Sequence, residues 1–108
     1  MRVDIKPLSV NQCWKGRRFK TDKYKAYEIE LMYKLSNIKL PNAPYLVLYT
    51  FGFSNSLSDL DNPVKPLQDI LQTYYGFNDR DIHKMIVEKV KVKKGEEYIE
   101  FEIKQLDK

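Results

Sequence analysis

The spacing of apolar and polar positions changes several times along this chain, and each change marks a new element. At the start Val3 and Ile5 alternate with Arg2, Asp4 and Lys6 until Pro7, the pattern of a short strand. From residue 22 the period lengthens. Tyr24, Tyr27, Leu31 and Leu35 recur at helical spacing with Met32 beside them, while Lys23, Lys25, Glu30 and Lys34 take the other side. This predicts a helix over about residues 22–36, with Thr21 or Asp22 as its N-cap. Asn37 to Pro44 contains two prolines and reads as a connection. Tyr45 to Phe53 is apolar on both faces, as expected of a central strand covered on both sides.

After a polar loop, Ser54 to Ser58, the helical period returns. Asn62 suits an N-cap and Pro63 a first helical residue, and Leu67, Ile70, Leu71 and Tyr74 form one apolar stripe. Lys65 and Asp69 fall on the opposite side, so the core does not require them. Pro66 is expected to strain the first turn. Gly76 suits the C-cap, and Asn78-Asp79-Arg80-Asp81 is a polar turn. From Ile82 the period is two again, and Ile99, Phe101 and Ile103 alternate after Lys94-Gly95-Glu96, which predicts a C-terminal hairpin. The order β-α-β-α-β-β predicts an α+β fold, a mixed β-sheet with two helices in a single small domain.

Composition narrows the chemistry. With 108 residues, 43% hydrophobic and 31% charged, the chain is ordinary for one globular domain. A net charge of +4 makes a polyanionic partner plausible without demanding one. Cys13 is the only cysteine and His83 the only histidine, which rules out an intramolecular disulfide and cysteine- or histidine-rich metal sites. A metal would have to be held by carboxylates, which favours Mg²⁺ or Mn²⁺. No stretch approaches the length of a membrane span and the N-terminus carries no apolar leader, so a cytoplasmic location and no membrane partner are expected.

Against this basic background, Asp59-Leu60-Asp61-Asn62-Pro63-Val64-Lys65 concentrates acid just before the second helix. Carboxylates two residues apart in an extended segment point to the same side, where a hard cation can bridge them. Asp79 joins Asp59 and Asp61 only if the turn after the second helix folds back over its start. The same Asp-x-Asp-Asn pattern also serves plain turn and capping chemistry, and spacing alone does not separate the two.

The stretch Ser58 to Asp69, followed by Asn78-Asp79-Arg80-Asp81-Ile82, closely resembles the signature of the RusA family of Holliday-junction resolvases, a D-x-D-N-x-x-K-x-x-x-D core and then a D-D-x-x-I turn. Pro7 to Trp14, with Arg17-Arg18-Phe19 and Tyr24, is similar to that family's N-x-x-W and G-R-x-Y segment. The resemblance implies a small homodimeric endonuclease that uses Mg²⁺, or Mn²⁺ in its place, with no organic cofactor. Such enzymes nick four-way DNA junctions symmetrically and leave ends that ligase can seal. Position by position, Asp59, Asp61 and Asp79 match the metal-binding aspartates and Lys65 the catalytic lysine. Asp69 matches an acidic position of open role. Asn78 departs from the pattern where many members carry Asp, and Asp81 is a substitute ligand to consider.

The remaining charge falls in two clusters. Lys15, Arg17, Arg18, Lys20, Lys23 and Lys25 form the first, and Lys84, Lys89, Lys91, Lys93 and Lys94 the second. Beside a nuclease motif the first, with Asn11, is a candidate DNA-contact surface. Trp14 and Phe19 lie within it and can either stack on unpaired bases or pack onto the core. Tyr24 and Tyr27 fit helix core, and His83 a structural place. The competing function is a non-catalytic, structure-selective nucleic-acid-binding protein.

Overall fold

The computed structural model describes residues 1–107. Its strands and α-helices run β1 (Arg2–Val3), β2 (Trp14–Lys15), β3 (Phe19–Lys20), α1 (Asp22–Lys34), β4 (Tyr45–Phe53), α2 (Val64–Tyr75), β5 (Ile82–Lys91) and β6 (Tyr98–Gln105). With the short β2–β3 ribbon set aside, this is the expected α+β order. Residues 14–20, within the first basic cluster, are closed into that ribbon by the pairs Trp14–Lys20 and Lys15–Phe19. Gly16 makes the turn possible at φ 66°, a conformation that a side chain disfavours.

The main sheet has the order β1-β6-β4-β5, with β4 antiparallel to β6 and parallel to β5. The C-terminal hairpin expected from the sequence does not form. β4 lies between β5 and β6, and residues 92–97 carry the chain across its end. Val92 N–H donates to the carbonyl of Phe53 (2.8 Å), and the Ser54 hydroxyl donates to Glu97 (2.7 Å). The Ser54 bond holds the Glu97 carboxyl below its usual range. Strand periodicity says that two strands exist, but it does not say which neighbour each one takes.

Alternation along β4 sets the layers. Val47, Tyr49, Phe51 and Phe53 are buried with Ile99 and Phe101 of β6 against Tyr24, Tyr27 and Leu31 of α1 and Leu67, Ile70 and Leu71 of α2. The second row of β4, Leu46, Leu48 and Thr50, is only half-buried. The sequence predicts cover on both faces. Both helices instead share one core, and the other side of the sheet stays open. On that side Gly52 lies under the ring of Tyr98, where an added Cβ would come within 2.5 Å of two ring carbons. The Arg2 guanidinium lies 3.9 Å from the centre of the same ring.

The helix ends follow local chemistry. Thr21 caps α1 by accepting from Tyr24 N–H at 3.2 Å. α2 begins one residue later than expected. Pro63 occupies its cap position, so Asn62 is not the cap, and no side chain bonds there. Pro66 is then the third helical residue, whose N–H would have no intrahelical acceptor, so the strain expected of it does not arise. Gly76 ends the helix at φ 77°. Among the described residues no helix is long and apolar enough to cross a membrane.

Candidate nucleic-acid and metal site

Because β4 enters the loop at its far end, Asp59 and Asp61 stand just before α2, and both are exposed. Asn62 Nδ2 reaches Asp59 Oδ2 at a long 3.4 Å. α2 then returns along the sheet. Ile82, the first residue of β5, pairs with Tyr45, the first residue of β4. The turn bearing Asp79 therefore follows the far end of a 12-residue helix, roughly 18 Å long at 1.5 Å per residue. Among the described residues no three carboxylate, histidine or cysteine side chains form a metal-holding group.

One face of α2 links the two ends. Lys65 Nζ donates to Asp69 Oδ1 at 2.8 Å, one turn on. Gln72 Nε2 lies 3.5 Å from the same oxygen, and its Oε1 accepts from Asp79 N–H at 2.8 Å. Lys65, Asp69 and Gln72 follow i, i+4, i+7, the polar counterpart of the apolar stripe. The Asp69 hydrogen bond raises the Lys65 pKa, with the charges of Asp69 and Asp79 assisting, so its cationic form is favoured. Asn78, where a second acid was expected, accepts from Arg80 N–H at 3.0 Å and caps the short turn Asp79–Asp81.

The turn that leads into the basic ribbon is fastened to this acidic loop. Val10 N–H donates to the Asn62 carbonyl at 2.9 Å, and Asn11 lies exposed in the same short 3-10 turn. Burial raises the pKa values of Cys13, Tyr24 and Tyr49, and the Asp69 charge adds to it in each case. The Asp69 carboxylate therefore also acts on the base of the ribbon. No family model and no curated protein matches the chain.

The ribbon sorts the expected DNA contacts. Lys15, Arg17, Arg18 and Lys23 are exposed. Lys20 is committed to Glu28 at 3.0 Å. Trp14 meets Tyr24 edge-on, with centroids 5.7 Å apart, yet keeps 43% of its surface exposed, and Phe19 keeps 71%. Packing onto the core accounts for part of Trp14 and little of Phe19. Tyr24 and Tyr27 are core residues, and His83 is exposed on β5.

Lys89 is the contributor that sequence reasoning placed elsewhere. It falls within the second lysine cluster, but its Nζ donates to the Ser58 carbonyl at 2.7 Å and steadies the acidic loop from β5. Only the parallel pairing of β5 with β4 brings it there, so no local signal in the sequence marks it.

Proposed function

We propose that this protein is a metal-dependent endodeoxyribonuclease that acts on four-way DNA junctions as a homodimer. The observation that carries the reading is the bond from Val10 to Asn62, which ties the turn leading into the basic, aromatic-bearing ribbon to the Asp59–Asp61 loop. A phosphate backbone drawn to Lys15, Arg17 and Arg18 would lie beside exposed carboxylates, an arrangement that repels DNA unless a cation intervenes. The match of Asp59, Asp61 and Lys65 to the RusA-family pattern supports the same reading.

The donor set suits a hard cation. Mg²⁺ takes one or two protein carboxylates and completes its shell with water and substrate phosphate, and Asp59 with Asp61 supplies that number. Asp79, the third aspartate of the pattern, does not complete a three-carboxylate group with them among the described residues. When bound, such a cation neutralises phosphate charge and activates water. Lys65, held protonated by Asp69, offsets charge on the phosphate. The exposed ribbon positions the backbone. Phe19 and Trp14 offer ring surface to unpaired bases at a junction centre. A two-fold dimer presents equivalent sites to a junction of the same symmetry.

The second reading is a structure-selective binder without cleavage, which the exposed Lys15, Arg17, Arg18 and Phe19 of the ribbon would serve equally well. Incubating a labelled four-way junction and a plain duplex with wild type and Asp61→Asn, with and without Mg²⁺ or Mn²⁺, separates the two. Symmetric nicks in the junction alone, requiring metal and Asp61, are expected. Tight junction binding without nicks in either metal establishes the binder, and equal treatment of junction and duplex rejects both.

A further inference from the structure

The open side of the sheet carries an ordered charge pattern. Register places Lys84, Leu46 and Lys104 in one row across β5, β4 and β6. Ile86, Leu48 and Glu102 form the next row, and Glu88, Thr50 and Glu100 the one after. A basic row and an acidic row thus flank a largely apolar one, roughly 7 Å from it on either side. Two like charges in one row repel. Arg2 of β1 extends the acidic row beside Glu100, but its guanidinium leans on the Tyr98 ring at 3.9 Å and reaches Asp4 at 3.5 Å, so Glu88 keeps no cation beside it. Among the described residues Lys84, Glu88 and Glu100 form no ion pair, and Lys104 has only Glu102, at 3.7 Å. Ile86 is 47% exposed in the middle of this surface.

The pattern is complementary to itself. Take a second copy turned by 180° about an axis between the faces, perpendicular to the strands and through the Leu48–Ile86 row. Its acidic row then covers the first copy's basic row. Lys84 meets Glu88 of the second copy, Lys104 meets Glu100, and Ile86 and Leu48 meet their own counterparts. Glu102 also meets its own counterpart, beyond the end of β1, with Lys104 beside it. We propose that this open face is the contact surface of a two-fold homodimer packed sheet on sheet, with the spacing of about 10 Å usual for such layers. The contact leaves the ribbon on α1 and the acidic loop at the end of β4 uncovered. It adds to the proposed function but does not rest on it, since a non-catalytic binder would use the same face.

The test is the oligomeric state of the whole chain, measured by sedimentation equilibrium over a range of concentrations. The set is wild type, Ile86→Lys, Lys84→Glu and the double variant Lys84→Glu/Glu88→Lys. Wild type is expected to be dimeric. Ile86→Lys should raise the dissociation constant roughly tenfold or more, because the substitution enters the interface twice. Lys84→Glu should weaken the dimer, and the double variant should recover most of the loss. All three positions are exposed, so circular dichroism and melting curves should match wild type and separate a broken interface from an unfolded chain. A wild type that stays monomeric at tens of micromolar overturns the proposal, as does a dimer indifferent to all the variants. A dimer of the expected behaviour that cleaves no junction would keep this inference and reject only the nuclease reading.

Discussion

Tyr49 and Gln68 hold the central strand to the second helix. The Tyr49 hydroxyl donates to Gln68 Oε1 at 3.0 Å, and Gln68 is the only buried polar residue among those described. The bond sits between Leu67 and Asp69, so it fixes the rotation of α2 that turns Leu67, Ile70 and Leu71 inward and Lys65 and Asp69 outward. Burial raises the Tyr49 pKa, so the hydroxyl remains a donor throughout the neutral range.

Removing that hydroxyl by Tyr49→Phe leaves a buried amide oxygen without its donor. A loss of about 1–2 kcal/mol is expected in urea unfolding. The double variant Tyr49→Phe/Gln68→Met, which removes both polar partners, should recover part of it. Unchanged stability in the single variant would mean that the pair does not position the helix.

Gly52 offers a similar test on the open face. A methyl group there meets the Tyr98 ring at 2.5 Å, so Gly52→Ala must displace the ring from beneath Arg2. The expected cost is about 1–3 kcal/mol, as for other overpacked sites. Because Tyr98 is what obstructs, Gly52→Ala should cost much less in a Tyr98→Ala background, and a thermodynamic cycle of the two reads this directly. Additive effects would show that the obstruction lies elsewhere.

On the ribbon, Arg17→Ala and Arg18→Ala should weaken junction binding. Each should also lower the slope of log affinity against log salt by about one for every phosphate left unneutralised. Lys20→Ala should do less, since Lys20 is engaged with Glu28 at 3.0 Å. Titrations at four salt concentrations would show this, and parallel slopes for all three variants would remove the ribbon from the interface.

Cys13 gives a pH dependence. Burial pushes its thiol from 9.0 up to about 11, with Glu28 and Asp69 assisting. The unfolded chain loses this proton first, so the native state binds more protons between pH 9 and 11. The contribution is fully present below about pH 9 and is lost as pH rises through about 11. Urea midpoints should fall across that window more steeply for wild type than for Cys13→Ala. Equal slopes would show that the thiol titrates as in the unfolded chain. Native Cys13 should also resist thiol reagents at neutral pH, being fully buried.

Local chemistry made much of this protein legible in the sequence. The stripe Leu67, Ile70, Leu71, Tyr74 foretold the buried side of α2. The same period foretold that Lys65 and Asp69 would face away from the core, within reach of each other. Thr21, Gly76 and the turn at residues 78–81 were readable because caps and turns depend on a few neighbouring backbone groups. Long-range placement was not readable. Nothing in Ile82–Lys91 says that it lies parallel to β4 rather than against Tyr98–Gln105, so the hairpin expectation failed and Lys89 went unplaced. The apolar run of β4 announced burial but could not say that both helices would choose one face. Periodicity is a property of a segment and its own backbone. Pairing, layer and the distance from Asp61 to Asp79 depend on how segments compete for shared surface, and only the assembled chain decides that.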